Sequence, residues 1–517
     1  MGALYFKEIK FGKTDASNEL SEVGNGFYMS SFLEYERYRI NDFVDGKMSF
    51  IIGRKGTGKT ALLKFLECKF SDNPENLVVP IRFKSDFDEI DRKNVKTASV
   101  TVQEEIINND NKESLKSYVV AWQVYLIYQI FKRVQSGDNE YSVFSQDKQY
   151  ELIWKLLKIV YGENGSGKIV PKISKGFINV SAGKKGIDAD LGLEIEFHDN
   201  QVNFELTAKK IIETYQKLIF DRTPVYILVD ELELSVKSKK LRDSDIELVR
   251  DLILAIDRMN RISRDNGFQI LFYASIRTDV LDSVLSAGYE INKCIEDYGV
   301  TIEWYQRGGD YNNSPLLKLL EKKIIASQKE AGINENNNVW ETYFEPKIND
   351  IEIKKFLLNY SWYRPRDVVR MMQFVQEYCA ETDVKINQEV FDRAVQQYSS
   401  RMWNEVSEEI ALKYTADDMK AIKKILTGIE VPFSMKHMNE RISSLRECYD
   451  YVDKFAKKYK LPELLDALYE WGIIGNSGER MVFNFLGYRE MDITKPMIIH
   501  TPLRNFFEVV SRKKNKY

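Results

Sequence analysis

The sequence predicts an α/β chain: a parallel sheet covered by helices on both faces, then a helical segment and a small mixed C-terminal module. Three observations carry that prediction. Residues 49–60 read SFIIGRKGTGKT, an apolar strand running into a glycine loop and a helix. Residues 224–231 read PVYILVDE, an apolar strand ending in two acids. Residues 269–277 read QILFYASIR, a third such strand, and helical periodicity separates the three. Apolar strands alternating with helices are the pattern of a sheet buried on both faces.

The first element is the most informative. Gly53, Arg54, Lys55, Gly56, Thr57, Gly58, Lys59 and Thr60 satisfy GxxxxGK[ST] at every fixed position, with ALLKFLECKF continuing as a helix. Glycines let the backbone wrap a phosphate so that several N–H groups point inward at the positive end of a helix. The expected ligand is ATP or GTP with Mg²⁺, held by residues 53–60 and Ala61, with ATP preferred because no N/TKxD base-reading motif follows QILFYASIR. Lys59 would reach the β- and γ-phosphates, and Thr60 would hold Mg²⁺. A second stretch, Gly162 to Lys168 (GENGSGK), also fits GxxxxGK but follows a helical pattern. Ile169 replaces the hydroxyl and Pro171 spoils a following helix, so it reads as an ordinary loop.

In the second element Asp230 would position Mg²⁺ and Glu231 would orient or deprotonate the attacking water, unless the strand merely ends in a solvated turn. At the end of the third, Ser275 and Arg277 are candidates to sense the γ-phosphate; Arg277 could instead pair with Asp279. NLVVPIRF (Asn76 to Phe83) reads as an edge strand, since Pro80 cannot donate to a ladder. GVTIEW (Gly299 to Trp304) reads as the last strand.

A glutamate beside the acid-strand aspartate, with another strand between the glycine loop and the acid strand, resembles the ASCE division of P-loop ATPases. The arginine ending the sensor strand resembles STAND ATPases and initiator-like AAA+ relatives. GRKGTGKT, SIRTDV, the strand ending in Trp304, and YRPRDVV together are similar to a bacterial ATPase group related to those. The resemblance covers roughly residues 25–510 and implies a place in anti-phage defence or stress loci. It also implies an arginine finger between sensor strand and last strand. From Thr278 to Trp304 the only cation is Lys293, so Arg258, Arg261 and Arg264 are possible substitutes, or else a solvated helix face.

Residues 1–48 lead into a core spanning 49–310, interrupted by an insertion at 95–215. About 140 residues between edge strand and acid strand are too many for an ordinary connection. The insertion reads as helical over 101–161, then as β-hairpins from Lys172 to Leu206. Its Lys172, Lys175, Lys184 and Lys185 are offset by Asp188, Asp190, Glu194 and Glu196. QRGGDYNNSP marks a linker into a helical lid, 311–412. There Arg366, or Arg364, of Tyr363-Arg364-Pro365-Arg366-Asp367 stands where the resemblance implies a second γ-phosphate sensor; otherwise Asp367 is a helix cap between solvated arginines. Residues 413–517 read as helices followed by a strand–turn–strand, GIIGNSGERMVFNFLG, which looks like a winged helix. Its recognition-helix candidate, LPELLDALYEWGIIG, is acidic and apolar, poor for phosphate contacts. The tail SRKKNKY reads as a frayed end.

Composition bounds the rest. The chain has 517 residues, 44% hydrophobic and 30% charged, with net charge −3, so no global field draws it to nucleic acid or membrane. Cys68, Cys294, Cys379 and Cys448, and His198, His437 and His500, are scattered, which excludes a clustered zinc site and a disulfide framework. The most apolar run, Tyr118 to Phe131, is shorter than the ~20 residues of a membrane span, and the N-terminus lacks a signal-peptide core. The expectation is a cytoplasmic, Mg²⁺-dependent ATPase switch or motor subunit, homo-oligomeric, with a separate effector protein. DNA-engaging loader and nucleotide-stabilised scaffold are the alternatives.

Overall fold

Phe50–Gly53 forms strand β1, with every residue buried. Four further strands join it in one parallel sheet: β2 (Leu77–Arg82), β3 (Val225–Leu232), β4 (Ile270–Arg277) and β5 (Gly299–Thr301). Their spatial order is β5-β1-β4-β3-β2. β4 thus lies between the glycine-loop strand β1 and the acid strand β3. β2 takes the edge, where Pro80 costs no ladder bond. β5 occupies the other edge and is shorter than the sequence suggests, ending at Thr301. This computed structural model describes residues 3–83, 100–101, 116–136, 141–162, 173–174, 177–179, 201–232, 239–286, 291–333, 338–411, 413–478, 481–488 and 490–511.

The chain divides into two units. One holds residues 36–55 and 59–302, and the other residues 1–35, 56–58 and 303–517. In the first, the helix Lys239–Asn266 buries Leu248, Val249, Leu252, Ile253, Ile256 and Met259 at helical spacing. Buried Asn260 on the same face locks it to the sheet. Its amide donates to Phe272 O (2.9 Å) and Ser49 Oγ (3.0 Å), and its oxygen accepts from Phe272 N (2.9 Å). A side chain that satisfies both main-chain groups of a strand residue sets the depth of the helix along that strand.

The insertion contributes helices Val119–Ser136 and Lys148–Tyr161. The helical reading fails at its start, where Val100–Thr101 and Lys116–Ser117 pair antiparallel, in keeping with β-branched SVTV. Ile173–Ser174, Phe177–Asn179 and Gln201–Asn203 form a three-stranded antiparallel sheet, and a helix takes over at Phe204. Lys172, Lys175, Lys184, Lys185, Asp188, Asp190, Glu194 and Glu196 lie outside the described residues. So do all of GENGSGK beyond Gly162 and the tail after Ser511.

The second unit is mostly helical, with Pro315–Glu330, Pro365–Tyr378 and Gln388–Ile410 its longest lid helices. Of residues 1–48, which read in the sequence as leading into the core, residues 1–35 pack here and residues 36–48 belong to the first unit. Phe6 is fully buried against Tyr343 and Phe344, and Glu19 forms a buried ion pair with Lys323. Toward the C-terminus, helices Ala416–Leu426, Met435–Cys448, Asp450–Lys458 and Leu461–Glu470 precede strand Ile474–Asn476. That strand pairs antiparallel with Met497–Ile499, and Phe433 bridges to Met497. Val482, in MVFNF, also bridges antiparallel to Asn476, with Asn476 N to Val482 O at 2.9 Å and Val482 N to Asn476 O at 3.0 Å, as the strand–turn–strand reading expects. Asn484–Leu486 is a 3₁₀ turn, and the longer pairing is with Met497–Ile499. Among the described residues no helix is long and apolar enough to cross a membrane.

Candidate functional site

The glycine loop follows β1 without a break. Gly56 and Gly58 have φ of +82° and +92°, a region closed to residues with a Cβ except at a cost, which explains the motif's glycine at 58 and the additional one at 56. At Gly56 a Cβ would also come within 3.3 Å of Arg366 Cβ. The helix Lys59–Ser71 starts at the end of the loop, so the positive end of its dipole lies at the loop. Lys59 is buried, and its ammonium donates to Arg54 O at 3.0 Å, curling back over the loop. Thr60 and Ala61 are half-buried in the first turn, Arg54 is exposed and Lys55 half-buried. At the loop tip, the indole of buried Trp304 donates to Thr57 O at 2.9 Å.

The acid pair sits on a β-bulge. Val229 stands opposite Ala274 and Leu232 opposite Ile276, so Asp230 and Glu231 together face the single residue Ser275. Glu231 takes up the extra length by adopting φ +62°, a left-handed conformation that costs a non-glycine residue on the order of 1–2 kcal/mol. The bulge re-aims two successive carboxylates that a regular strand would send to opposite faces. Asp230 is held by a short hydrogen bond from the Ser275 hydroxyl. β1 and β4 run in register, with Gly53 opposite Arg277. The C-terminal ends of β1, β4 and β3 therefore lie side by side. The sequence brings its glycine loop, acid pair and sensor candidates to one edge of one sheet.

The three arginines are held differently. Arg277 forks onto Asp279, Nε to Oδ1 at 2.9 Å and Nη2 to Oδ2 at 2.8 Å, the ion pair weighed above against a sensor role. Arg364 forks onto fully buried Asp367, with both bonds at 3.0 Å. Asp367 also accepts Trp362 N at 2.8 Å; the helix start has no side-chain cap bond, so this acid is an ion-pair partner rather than a cap, and Arg364 is buried rather than solvated. Arg366 places its main-chain N 3.4 Å from Gly56 O and its guanidinium on Thr14 O (3.2 Å) and Glu405 Oε1 (3.3 Å). Burial pushes the Glu405 carboxyl up, but Arg364, Arg370 and Arg366 outweigh it and bring it down to about 2.

Arg258, Arg261 and Arg264 are all exposed on the helix before β4; Arg261 pairs with Asp257 at 2.9 Å and Arg264 lies over the Tyr298 ring. Sequence reading missed Glu405, Trp304's bond to the loop, and the bulge. No local pattern marks a glutamate forty residues from its arginine, whereas the doubled acid after an apolar strand was a signal for the bulge. Among the described residues no cluster of His, Cys, Asp and Glu could hold a metal by itself, so Thr60 and Asp230 fit Mg²⁺ only in company with phosphate oxygens.

Comparison with known proteins adds the following. No curated protein matches the sequence. The structure of the Aeropyrum pernix Orc1 protein in complex with DNA is similar to this chain at 11% identity and a TM-score of 0.36, covering 93% of this chain and 94% of that one. Residues 314–407, the larger part of the lid, match the family described as FunZ-associated C-terminal helical domain.

Proposed function

We propose that the protein is a Mg²⁺-dependent ATPase that works as a nucleotide-driven switch or motor subunit. The observation that carries this reading is the edge where a GxxxxGK[ST] loop, a bulged acid pair and a serine-held aspartate meet on adjacent strands. Residues 53–61 would cradle the phosphates, with Lys59 leaving Arg54 O for the β- and γ-oxygens. Thr60 and Asp230 would hold Mg²⁺, which supplies charge neutralisation and orientation of the phosphates. Glu231, fixed by its backbone conformation, would orient the attacking water. Arg277 and Arg366 would sense the γ-phosphate from the sensor strand and the lid. The resemblance to STAND and initiator-like ATPases supports homo-oligomerisation and a role beside a separate effector in anti-phage defence.

The C-terminal module, read as winged-helix-like, bears on the DNA alternative. The residues exposed along Leu461–Glu470 after Pro462 are Glu463, Asp466 and Glu470, a face that repels a phosphate backbone. That favours a protein-facing or regulatory role over DNA loading.

The test is Mg²⁺-dependent ATP turnover, without and with duplex DNA, for wild type, Lys59→Ala and Glu231→Gln. Lys59→Ala should abolish binding and turnover. Glu231→Gln should keep binding and lower turnover by about 10²-fold or more. Turnover that survives Glu231→Gln would remove the catalytic assignment, and strong DNA stimulation would move the reading to a loader.

A further inference from the structure

The helix Pro365–Tyr378 presents Arg366, Gln373 and Gln376 along one face, and each donates to a main-chain carbonyl of the N-terminal segment. Arg366 Nε reaches Thr14 O (3.2 Å), Gln373 Nε2 reaches Gly12 O (2.8 Å), and Gln376 Nε2 reaches Ile9 O (2.8 Å) and Phe6 O (3.0 Å). The segment is thus tied to the helix like a bound peptide, and its last tie is the arginine that the function above uses. The same guanidinium also donates to Glu405 Oε1 at 3.3 Å, while Arg370 holds the other carboxylate oxygen.

We propose that Glu405 competes with the nucleotide's phosphate for Arg366, holding the arginine in a resting position whose release also frees the N-terminal segment at Thr14. The inference rests on Arg366 being a phosphate sensor. With Nε on the Thr14 carbonyl and Nη1 on Glu405, the guanidinium has its Nε-side fork occupied and its plane fixed by both partners, so a full two-bonded grip on a phosphate requires it to give up one of them. The arrangement is built for one partner to leave. When Arg366 departs, Glu405 keeps Arg370, so no buried carboxylate is left unpaired, which is the costly outcome. Thr14 is half-exposed, so water can replace the lost donor on its carbonyl. The ties from Gln373 and Gln376 persist and confine the release to residues 13–19. There Asp15 caps the helix Ala16–Ser31 through Ser17 N and Asn18 N, and Glu19 accepts Lys13 N. Phosphate recognition would in this way reach a surface helix that a partner can read.

The experiment measures Mg·ATP affinity by calorimetry in a Glu231→Gln background, for the parent, Glu405→Gln, Arg366→Ala and the double variant. Glu405→Gln should tighten binding by about fivefold or more. Arg366→Ala should weaken it, and the double variant should bind no tighter than Arg366→Ala. If Arg366→Ala weakens binding but Glu405→Gln does not tighten it, the competition is overturned while the sensor reading stands. If Arg366→Ala changes nothing, the sensor reading fails and this inference with it. Hydrogen exchange on the otherwise unaltered Glu231→Gln protein covers the case in which Glu405→Gln does not fold. Amides of residues 13–19 should exchange faster with Mg·ATP bound, and unchanged exchange there overturns the release.

Discussion

Arg364 grips Asp367 and Arg277 grips Asp279 with nearly the same fork, two parallel bonds of 3.0 and 3.0 Å against 2.9 and 2.8 Å. Their surroundings differ. Asp367 is fully buried in the lid, whereas the Asp279 side chain is 53% exposed at the start of a helix after β4. In water-poor surroundings each partner depends on the other, because a lone charge there has nothing to replace it. At the surface, solvent and salt substitute readily, and the pair is worth little. Equal geometry therefore marks opposite uses. Arg364 is architecture, fixed in place by burial and by its acid. Arg277, itself 16% exposed, is paired with an acid that solvent reaches, the condition a γ-phosphate sensor would need in order to change partners.

The largest effect expected from this contrast is at Asp367. Changing it to Ala removes the acceptor for both Arg364 and Trp362 N and leaves a buried guanidinium without its fork. Destabilisation of roughly 3–5 kcal/mol is expected in urea titration. A loss under about 1 kcal/mol would show that other acids near Arg364 take over, and that its fork is no more committed than Arg277's.

The lid also shows why legibility differed between regions. The sheet edge could be read from residues because each of its parts is local: a glycine loop obeys φ requirements at Gly56 and Gly58, and buried strands are continuous apolar runs. The helices within residues 311–412 and the RPRD helix start were legible for the same reason, since proline at a helix start is a local signal. The arginine partners were not. Glu405 meets Arg366 and Arg370 only through packing of two helices, and Thr14 reaches Arg366 from the far end of the chain. The packing of residues 1–35 was missed likewise. Phe6, Ile9 and Phe11 are apolar in any context, and nothing nearby says which surface they cover. Of the C-terminal pair, MVFNF was legible as the return strand, since Val482 bridges Asn476, but the longer partner, Met497–Ile499, was not, because Asn476 is paired on both sides. Its side chain holds Asp492 N and O and steers the chain toward Met497.

A middle-sized effect sharpens the idea that Arg364 sits in fixed architecture. His500 is buried against Trp362, Phe485 and Phe483, with ring centroids 4.4, 4.7 and 5.0 Å away. Burial first, then Arg504 and Arg364, hold its imidazole well below the usual range. The folded protein therefore resists protonating a group that the unfolded chain protonates near pH 6.5. Above that pH there is no penalty. Below it, stability falls with decreasing pH, by as much as about 1.4 kcal/mol per unit. Thermal midpoints measured at pH 7.5 and 5.5 should fall for wild type and fall distinctly less for His500→Phe. Equal declines would place the pH sensitivity elsewhere and loosen the case for a rigid cluster around Arg364.

The smallest effect is at the other fork. Asp279→Asn leaves an acceptor for Arg277 and removes only a solvent-screened attraction, so stability should change by less than about 1 kcal/mol. Its value lies in the comparison with turnover. A parked sensor must leave Asp279 to meet a phosphate, and weakening the parking bond lowers that cost. Asp279→Asn should then leave the melting temperature within a degree or two while raising ATP affinity about twofold, with Arg277→Ala abolishing the gain. If Asp279→Asn instead destabilises the protein as strongly as Asp367→Ala, the exposed fork is architecture too. Arg277 would then be a strut at the end of β4, and sensing would fall to Ser275 and the lid.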